Sequence, residues 1–228
     1  MNSSLKFGHR GAKAYSPENT IASVKKALDI GVDGIEIDVH KCASGEIVVF
    51  HDFTLDRMTD GSGEIHKRTW EELQELKVKG AHHIPELEEV LDVINKRCII
   101  NIELKGKHTA DGTAEIIRHY INSHDWKPSL FLVSSFQSSE LKRMSQLVPN
   151  IELAVLTKAS VEEAIDMAKT TNSKTIHPNY ALLSQTNVKE AQQRGFKVNT
   201  WTVNDEETIL RMKSYGVNGI ISDYPDRL

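Results

Sequence analysis

Eight short β-type runs, separated by stretches with helical periodicity, limit this chain to very few folds. The runs fall at 5–9, 34–40, 98–105, 130–136, 151–157, 174–178, 196–203 and 217–223. Between them, apolar residues recur at helical spacing, as in Ile21, Val24 and Leu28 closed by Gly31, in Val161, Ala164, Ile165 and Ala168, and in Ile209, Met212 and Tyr215 closed by Gly216. Seven runs are followed by a helix and the last runs to the C-terminus, which predicts an α/β fold of the (β/α)8 TIM-barrel type. An open doubly wound sheet is the alternative, but its usual phosphate fingerprint, GxGxxG, is absent. With 228 residues, 39% of them hydrophobic, and no Pro/Gly/Ser linker, the chain reads as one domain over 1–228.

The second interval is about twice as long as the others. It opens with "KCASGEIVVFHD", a β-run in which Ser44-Gly45 is a turn signal. A two-residue hairpin there sets His51 opposite Asp38 and Val49 opposite His40, returning the histidine to the second strand. If 47–51 were itself a barrel strand, nine candidates would compete for eight places; the hairpin avoids this. Residues from about 53 to 83 then form a small insertion before "IPELEEVLDVIN" resumes the helix ring. Within it, "KRTWEELQELK" is an amphipathic helix with Trp70 and Leu73 inward.

Chemistry concentrates on strand ends. In "FGHRGAKAYSPENT", His9 and Arg10 stand between two glycines at a strand-to-loop junction, with Ser16 and Pro17 reading as N-cap and first helical residue. Strand residues alternate between faces, so "GIEIDVH" puts Glu36, Asp38 and His40 on one side and "CIINIELK" turns Asn101, Glu103 and Lys105 inward. Barrel interiors are normally apolar, and buried carboxylates are costly unless neutralised. Either an ion-pair network with Lys105 and Arg10 or a divalent cation meets this need. All-oxygen ligation by Glu36, Asp38 and Glu103 suits Mg²⁺ or Ca²⁺, and the lack of an inward HxH or cysteine pair disfavours zinc. His9 and His51 suit acid and base work near neutral pH, while the metal, Arg10 and Lys105 suit an anion such as a phosphoryl group.

Composition narrows the partners. A net charge of −4 argues against a nucleic-acid binder, and no apolar run approaches membrane-spanning length. The start, MNSSLKF, has neither the basic end nor the apolar core of a signal peptide, and Cys42 and Cys98 form no metal-type pair. The expectation is a cytoplasmic protein with no stable membrane anchor and a small-molecule substrate.

"GHRGAKAYSPENT", "DGIEIDVHKCASGEIVVFHDFTLDRMT", "IPELEEVL", "NIELK", "VNTWTVN" and "GIISDYPD", running in order from Gly8 to Asp226, resemble the glycerophosphodiester phosphodiesterases. The resemblance implies a metal-dependent barrel enzyme that hydrolyses glycerophosphodiesters to sn-glycerol 3-phosphate and an alcohol. It places the acid/base pair on His9 and His51, the metal on Glu36, Asp38 and Glu103, and phosphate contacts on Arg10 and Lys105. It implies that the glycerol 2-hydroxyl attacks phosphorus and that water then opens a cyclic phosphate. By analogy with the phosphatidylinositol-specific phospholipases C, His9 is the base and His51 the acid. The insertion resembles the family's cap, and its compactness resembles the small cytoplasmic members.

Trp201, on a strand face with Asn199, and Phe136 are candidates for an apolar wall against glycerol. His177, beside Pro178, reads as a structural histidine, His82-His83 as solvated loop, and Asp223 as a turn or capping residue. Glu18 and Asn19 are candidates for supporting the first loop. Two other functions compete: a binding barrel without catalysis, against which His9 and His51 argue, and a lyase that stops at the cyclic phosphate, which shares the first step.

Overall fold

The computed structural model describes residues 4–228. Eight parallel strands form the expected barrel: β1 (Leu5–His9), β2 (Gly34–Lys41), β4 (Ile99–Leu104), β5 (Phe131–Ser135), β6 (Glu152–Thr157), β7 (Thr175–Pro178), β8 (Lys197–Thr200) and β9 (Gly219–Ser222). Pairing of β1 with both β9 and β2 closes the ring. The outer helices are α1 (Ile21–Ile30), α3 (Leu87–Ile94), α4 (Ala110–Ser123), α5 (Ser138–Leu147), α6 (Val161–Thr171), α7 (Gln185–Gln193) and α8 (Glu206–Tyr215). Their apolar stripes and the outward faces of the strands share one continuous core that includes Ile35, Ile37, Val39, Ile100, Ile102 and Leu104. At the floor of the barrel the Phe7 ring fills the space that side chains at 34 and 219 would need. A Cβ on Gly34 or Gly219 would lie 2.3 Å or 3.1 Å from that ring.

The remaining strand, β3 (Ile47–Val49), runs antiparallel to β2 and lies outside the ring, as the hairpin reading requires. Its register differs by one residue from the expectation: Val49 pairs with Val39, and Val48 with His40. The cause is the turn. Cys42 N–H donates to the Glu46 carbonyl, leaving a three-residue loop in which Gly45 takes φ of 118°. Asp38 therefore faces Phe50, whose N–H donates to its carbonyl, and His51 reaches the barrel mouth from just beyond the ladder.

Residues 53–83 contain α2 (Trp70–Gln74), started by a Thr69/Glu72 capping box. A second apolar cluster of Cys42, Val48, Phe50, Leu55, Met58, Ile65, Leu73, Val78 and Ile84 ties this segment to the hairpin, with Trp70 packed at its edge. Among the described residues no helix is long and apolar enough to cross a membrane.

The first loop departs from the expected helix start. Thr20, not Ser16, caps α1 by accepting from the Ser23 N–H. "PENT" is instead a turn packed into the barrel mouth, with Asn19 at φ of 56° and its side chain donating to Asp38 Oδ2. The glycines of the opening stretch now have a reason. A Cβ on Gly8 would stand 2.4 Å from the Gly11 carbonyl oxygen, and one on Gly11, at φ of 84°, 2.4 Å from Ser23 Oγ. Between them Arg10 itself takes a left-handed φ of 52°, which aims its N–H at Glu36 Oε2, 2.9 Å away.

Candidate active site

Strand register assembles the site. His9, Glu36 and Asn101 lie in one row across β1, β2 and β4, and Asp38 and Glu103 form the next row towards the strands' C-terminal ends. Ligand atoms of Glu36, Asp38 and Glu103 all lie within 4.8 Å of one another, and all three residues are buried. Arg10 Nε stands 3.4 Å from Asp38 Oδ2, and Lys105 Nζ stands 3.0 Å from Glu103 Oε1 and 3.5 Å from Asp38 Oδ1.

These cations neutralise the cluster unequally. Burial raises Asp38, but Arg10 and Lys105 outweigh it and hold its pKa below the ordinary value. Burial, followed by repulsion from Asp38 and Glu103, pushes Glu36 well above the carboxylate range. Burial and then Asp38 push Glu103 up to about 7 despite Lys105. Ionised together, the three carboxylates would carry more negative charge than Arg10 and Lys105 offset, which with burial is why Glu36 and Glu103 hold their protons more tightly. Beside it, Asn101 Oδ1 is buried with no hydrogen-bond partner. Three carboxylates and a free amide oxygen form a donor set that could hold a hard divalent cation.

Both histidines are tethered through Nδ1. His9 Nδ1 lies 2.5 Å from Asp223 Oδ1, and His51 Nδ1 lies 2.6 Å from Asp52 Oδ1. A carboxylate only accepts, so each Nδ1 carries the proton and each neutral ring presents a basic Nε2. Desolvation lowers both imidazole pKa values, offset in part by these carboxylates. Asp223 is held in turn by Asn204, whose Nδ2 donates to Oδ2 at 3.0 Å and whose Oδ1 accepts from the Asp223 N–H. Asp52 is gripped by Arg57 Nε at 2.6 Å. Arg57 Nη2 also reaches Glu18 Oε1 at 2.6 Å, and Glu18 accepts from Arg10 Nη1 at 2.7 Å. A continuous chain of ion pairs thus joins Arg10 on the first loop to His51 at the edge of the insertion.

One reading from sequence changes here, and another is extended. Asp223 is the carboxylate that orients His9, not merely a turn residue, and Glu18 is an ion-pair bridge between loops. His40 donates through Nε2 to the His51 carbonyl at 3.2 Å and meets the Phe53 ring edge-on, bracing the segment that carries His51. His177 stays out of the site: it is fully buried, and its Nε2 accepts from Asn199 Nδ2 at 3.0 Å.

A cavity of about 210 Å³ opens between these groups and the opposite wall. His9, Arg10, Glu36, His51, Asn101, Glu103 and Lys105 line one side, and Phe136, Leu156, Lys158, Trp201 and Ile221 complete it. Phe136 and Trp201 meet edge-to-face, with ring centroids 5.7 Å apart. Asp38 lies behind the lining, joined to it through Arg10 and Lys105. A larger cavity of about 630 Å³ lies at the strands' N-terminal ends, lined by residues such as Leu5, Phe7 and Asn218, and brings together no histidine or metal-binding trio. In this fold that end carries stability rather than chemistry.

A TIM barrel whose C-terminal mouth sets paired histidines and fixed cations beside buried carboxylates has the groups that acid/base chemistry on an anionic ester needs. Comparison with known proteins names the class. Residues 9–227 match the model of the Glycerophosphoryl diester phosphodiesterase family. A glycerophosphodiester phosphodiesterase from Bacillus altitudinis is 37% identical over 97% of this chain and 95% of its own length. One from Caldanaerobacter subterraneus subsp. tengcongensis is 34% identical over 98% of this chain and 96% of its own length. The structure of an Oleispira antarctica phosphodiesterase, in complex with the product sn-glycerol-3-phosphate, superposes with a TM-score of 0.90 at 30% identity, covering 99% of this chain and 95% of that one. The chain belongs to the glycerophosphoryl diester phosphodiesterase family, and it is a phosphoric diester hydrolase.

Proposed function

We propose that this protein hydrolyses glycerophosphodiesters to sn-glycerol 3-phosphate and an alcohol, with His9 and His51 as the proton-transfer pair and a divalent cation, Mg²⁺ or Ca²⁺, held by Glu36, Asp38 and Glu103. The observation that carries this reading is the pair of imidazoles with carboxylate-tethered Nδ1 atoms, sharing one cavity with that trio. When bound, the cation supplies a Lewis acid for the phosphoryl oxygens and offsets the buried charge.

Among the described residues, no serine, threonine or cysteine lines the cavity, so the chain presents no hydroxyl or thiol nucleophile there. The substrate's glycerol 2-hydroxyl fills that role. His9 Nε2, basic because Asp223 holds the proton on Nδ1, takes the hydroxyl proton as oxygen attacks phosphorus. His51 protonates the departing alcohol. This division is favoured by exposure: the His51 side chain is 25% exposed against 12% for His9, and a departing group is released more readily beside the more solvent-open histidine. Arg10 and Lys105 stabilise the growing phosphoryl charge, and Phe136 and Trp201 give the glycerol carbons an apolar wall. The roles then reverse as water opens the cyclic phosphate.

The test is incubation with glycerophosphocholine, glycerophosphoethanolamine and glycerophosphoglycerol, with phosphorus products followed by ³¹P NMR. The end product expected is sn-glycerol 3-phosphate; cyclic phosphate as the sole end product indicates a lyase. His9→Ala and His51→Ala should each lower kcat by about two orders of magnitude or more while KM changes little. Near wild-type kcat in either variant removes that histidine from the mechanism.

A further inference from the structure

One cation in the cavity wall plays no part in the scheme above. Lys158 follows β6 at the C-terminal end of the barrel, and its Nζ sits 5.6 Å from the Phe136 ring centroid and 5.4 Å from that of Trp201. Arg10 and Lys105 each have carboxylate partners, whereas no carboxylate lies within ion-pairing distance of Lys158 among the described residues. Lys158 is exposed at the cavity rim, so its unpaired charge faces solvent and whatever enters the cavity.

An edge-to-face aromatic pair attracts cations, and an open one is a natural seat for a quaternary ammonium. Here the protein's own ammonium takes that seat. We propose that Lys158 makes this enzyme select neutral, hydroxyl-rich alcohol groups against quaternary ammonium groups. The inference rests on the glycerophosphodiester reading above. Glycerol is uncharged and common to all such substrates, so the alcohol is the part through which a fixed charge can discriminate. With a cavity of about 210 Å³, an alcohol held inside it lies well within the roughly 8–10 Å over which charges act in ordinary buffer. A ligand ammonium within that range meets a like charge that no carboxylate offsets, whereas a neutral alcohol does not.

The test compares kcat/KM for glycerophosphoglycerol and glycerophosphocholine in wild type, Lys158→Met and Lys158→Arg. Wild type should favour the glycerol substrate by roughly fivefold, the scale of an exposed cation–aromatic contact. Lys158→Met, which keeps the stem and removes the charge, should shift the ratio towards choline by a similar factor, and Lys158→Arg should hold it. A wild-type preference for choline, or a ratio within about twofold of wild type in Lys158→Met, overturns the assignment and leaves the phosphodiesterase reading standing. Failure of wild type to hydrolyse either compound removes that reading, and the inference with it.

Discussion

Asp223 Oδ1 lies 2.5 Å from His9 Nδ1, joining residues 214 positions apart at the point where β9 closes the barrel against β1. The contact sets which nitrogen of His9 carries the proton, and so whether Nε2 can act as a base. Asp223→Asn can offer a donor where the imidazole needs an acceptor, which favours the opposite tautomer. We expect kcat to fall by about two orders of magnitude or more, with KM little changed and the acid limb of the pH–rate profile displaced. A variant with wild-type kcat and profile shows that Asp223 only shapes the turn.

The carboxylate trio predicts how activity depends on metal. Excess EDTA should abolish turnover, and Mg²⁺ or Ca²⁺ should restore it. Glu103→Gln, which keeps the side-chain shape, should weaken cation affinity by at least about tenfold, since even groups that only support a metal ligand commonly contribute that much. Calorimetric titration of the metal-free protein reads this directly, apart from activity. Full turnover in EDTA with no metal detectable by elemental analysis removes the site.

The extent to which this site can be read from sequence depends on chain separation. Period-two alternation within β2 and β4 exposes Glu36, Asp38, Asn101 and Glu103 as inward residues, because each strand carries its own pattern. The barrel follows from eight such runs and their helices. Contacts between distant loops leave no local trace. Asp223 looks like a turn residue because its partner is on the first strand, and Lys158 follows β6 with no motif to mark it as facing Trp201. Thr20 displaces Ser16 as the helix cap because Glu18 and Asn19 are drawn to Arg10 and Asp38, a tertiary demand that overrides a sound local signal. The hairpin register slips by one because Gly45 permits a three-residue loop at φ of 118° as readily as Ser44-Gly45 signals a two-residue one.

His177 makes stability depend on pH without touching catalysis. Fully buried, its ring is pulled by desolvation from 6.5 down to about 3. Between those values the unfolded state binds the proton that the folded state refuses. Its contribution is therefore complete above about pH 6.5 and is lost as pH falls towards 3, at about 1.4 kcal/mol per pH unit. Between pH 7.5 and 5.5 only the unit below 6.5 counts, so urea unfolding should show about 1.4 kcal/mol of loss from this residue in wild type, which His177→Gln should remove. Equal slopes would show that the folded ring accepts the proton after all.

The order of bond making is tested by removing the nucleophile from the substrate. A 2-deoxy analogue of glycerophosphocholine keeps the phosphodiester that Arg10, Lys105 and a bound cation would hold, so it should still compete for the cavity. It lacks the hydroxyl that His9 deprotonates in the proposed scheme. Intramolecular attack carries an entropic advantage commonly worth several kcal/mol, which external water must otherwise recover. Turnover of the analogue should fall by roughly three orders of magnitude or more, while it inhibits hydrolysis of glycerophosphocholine competitively. The absence of serine, threonine and cysteine from the cavity lining among the described residues is what makes this outcome expected, because the chain has no hydroxyl or thiol there to substitute. Hydrolysis of the analogue at a comparable rate would replace the cyclic route with direct attack by water, and His9 would then deprotonate that water.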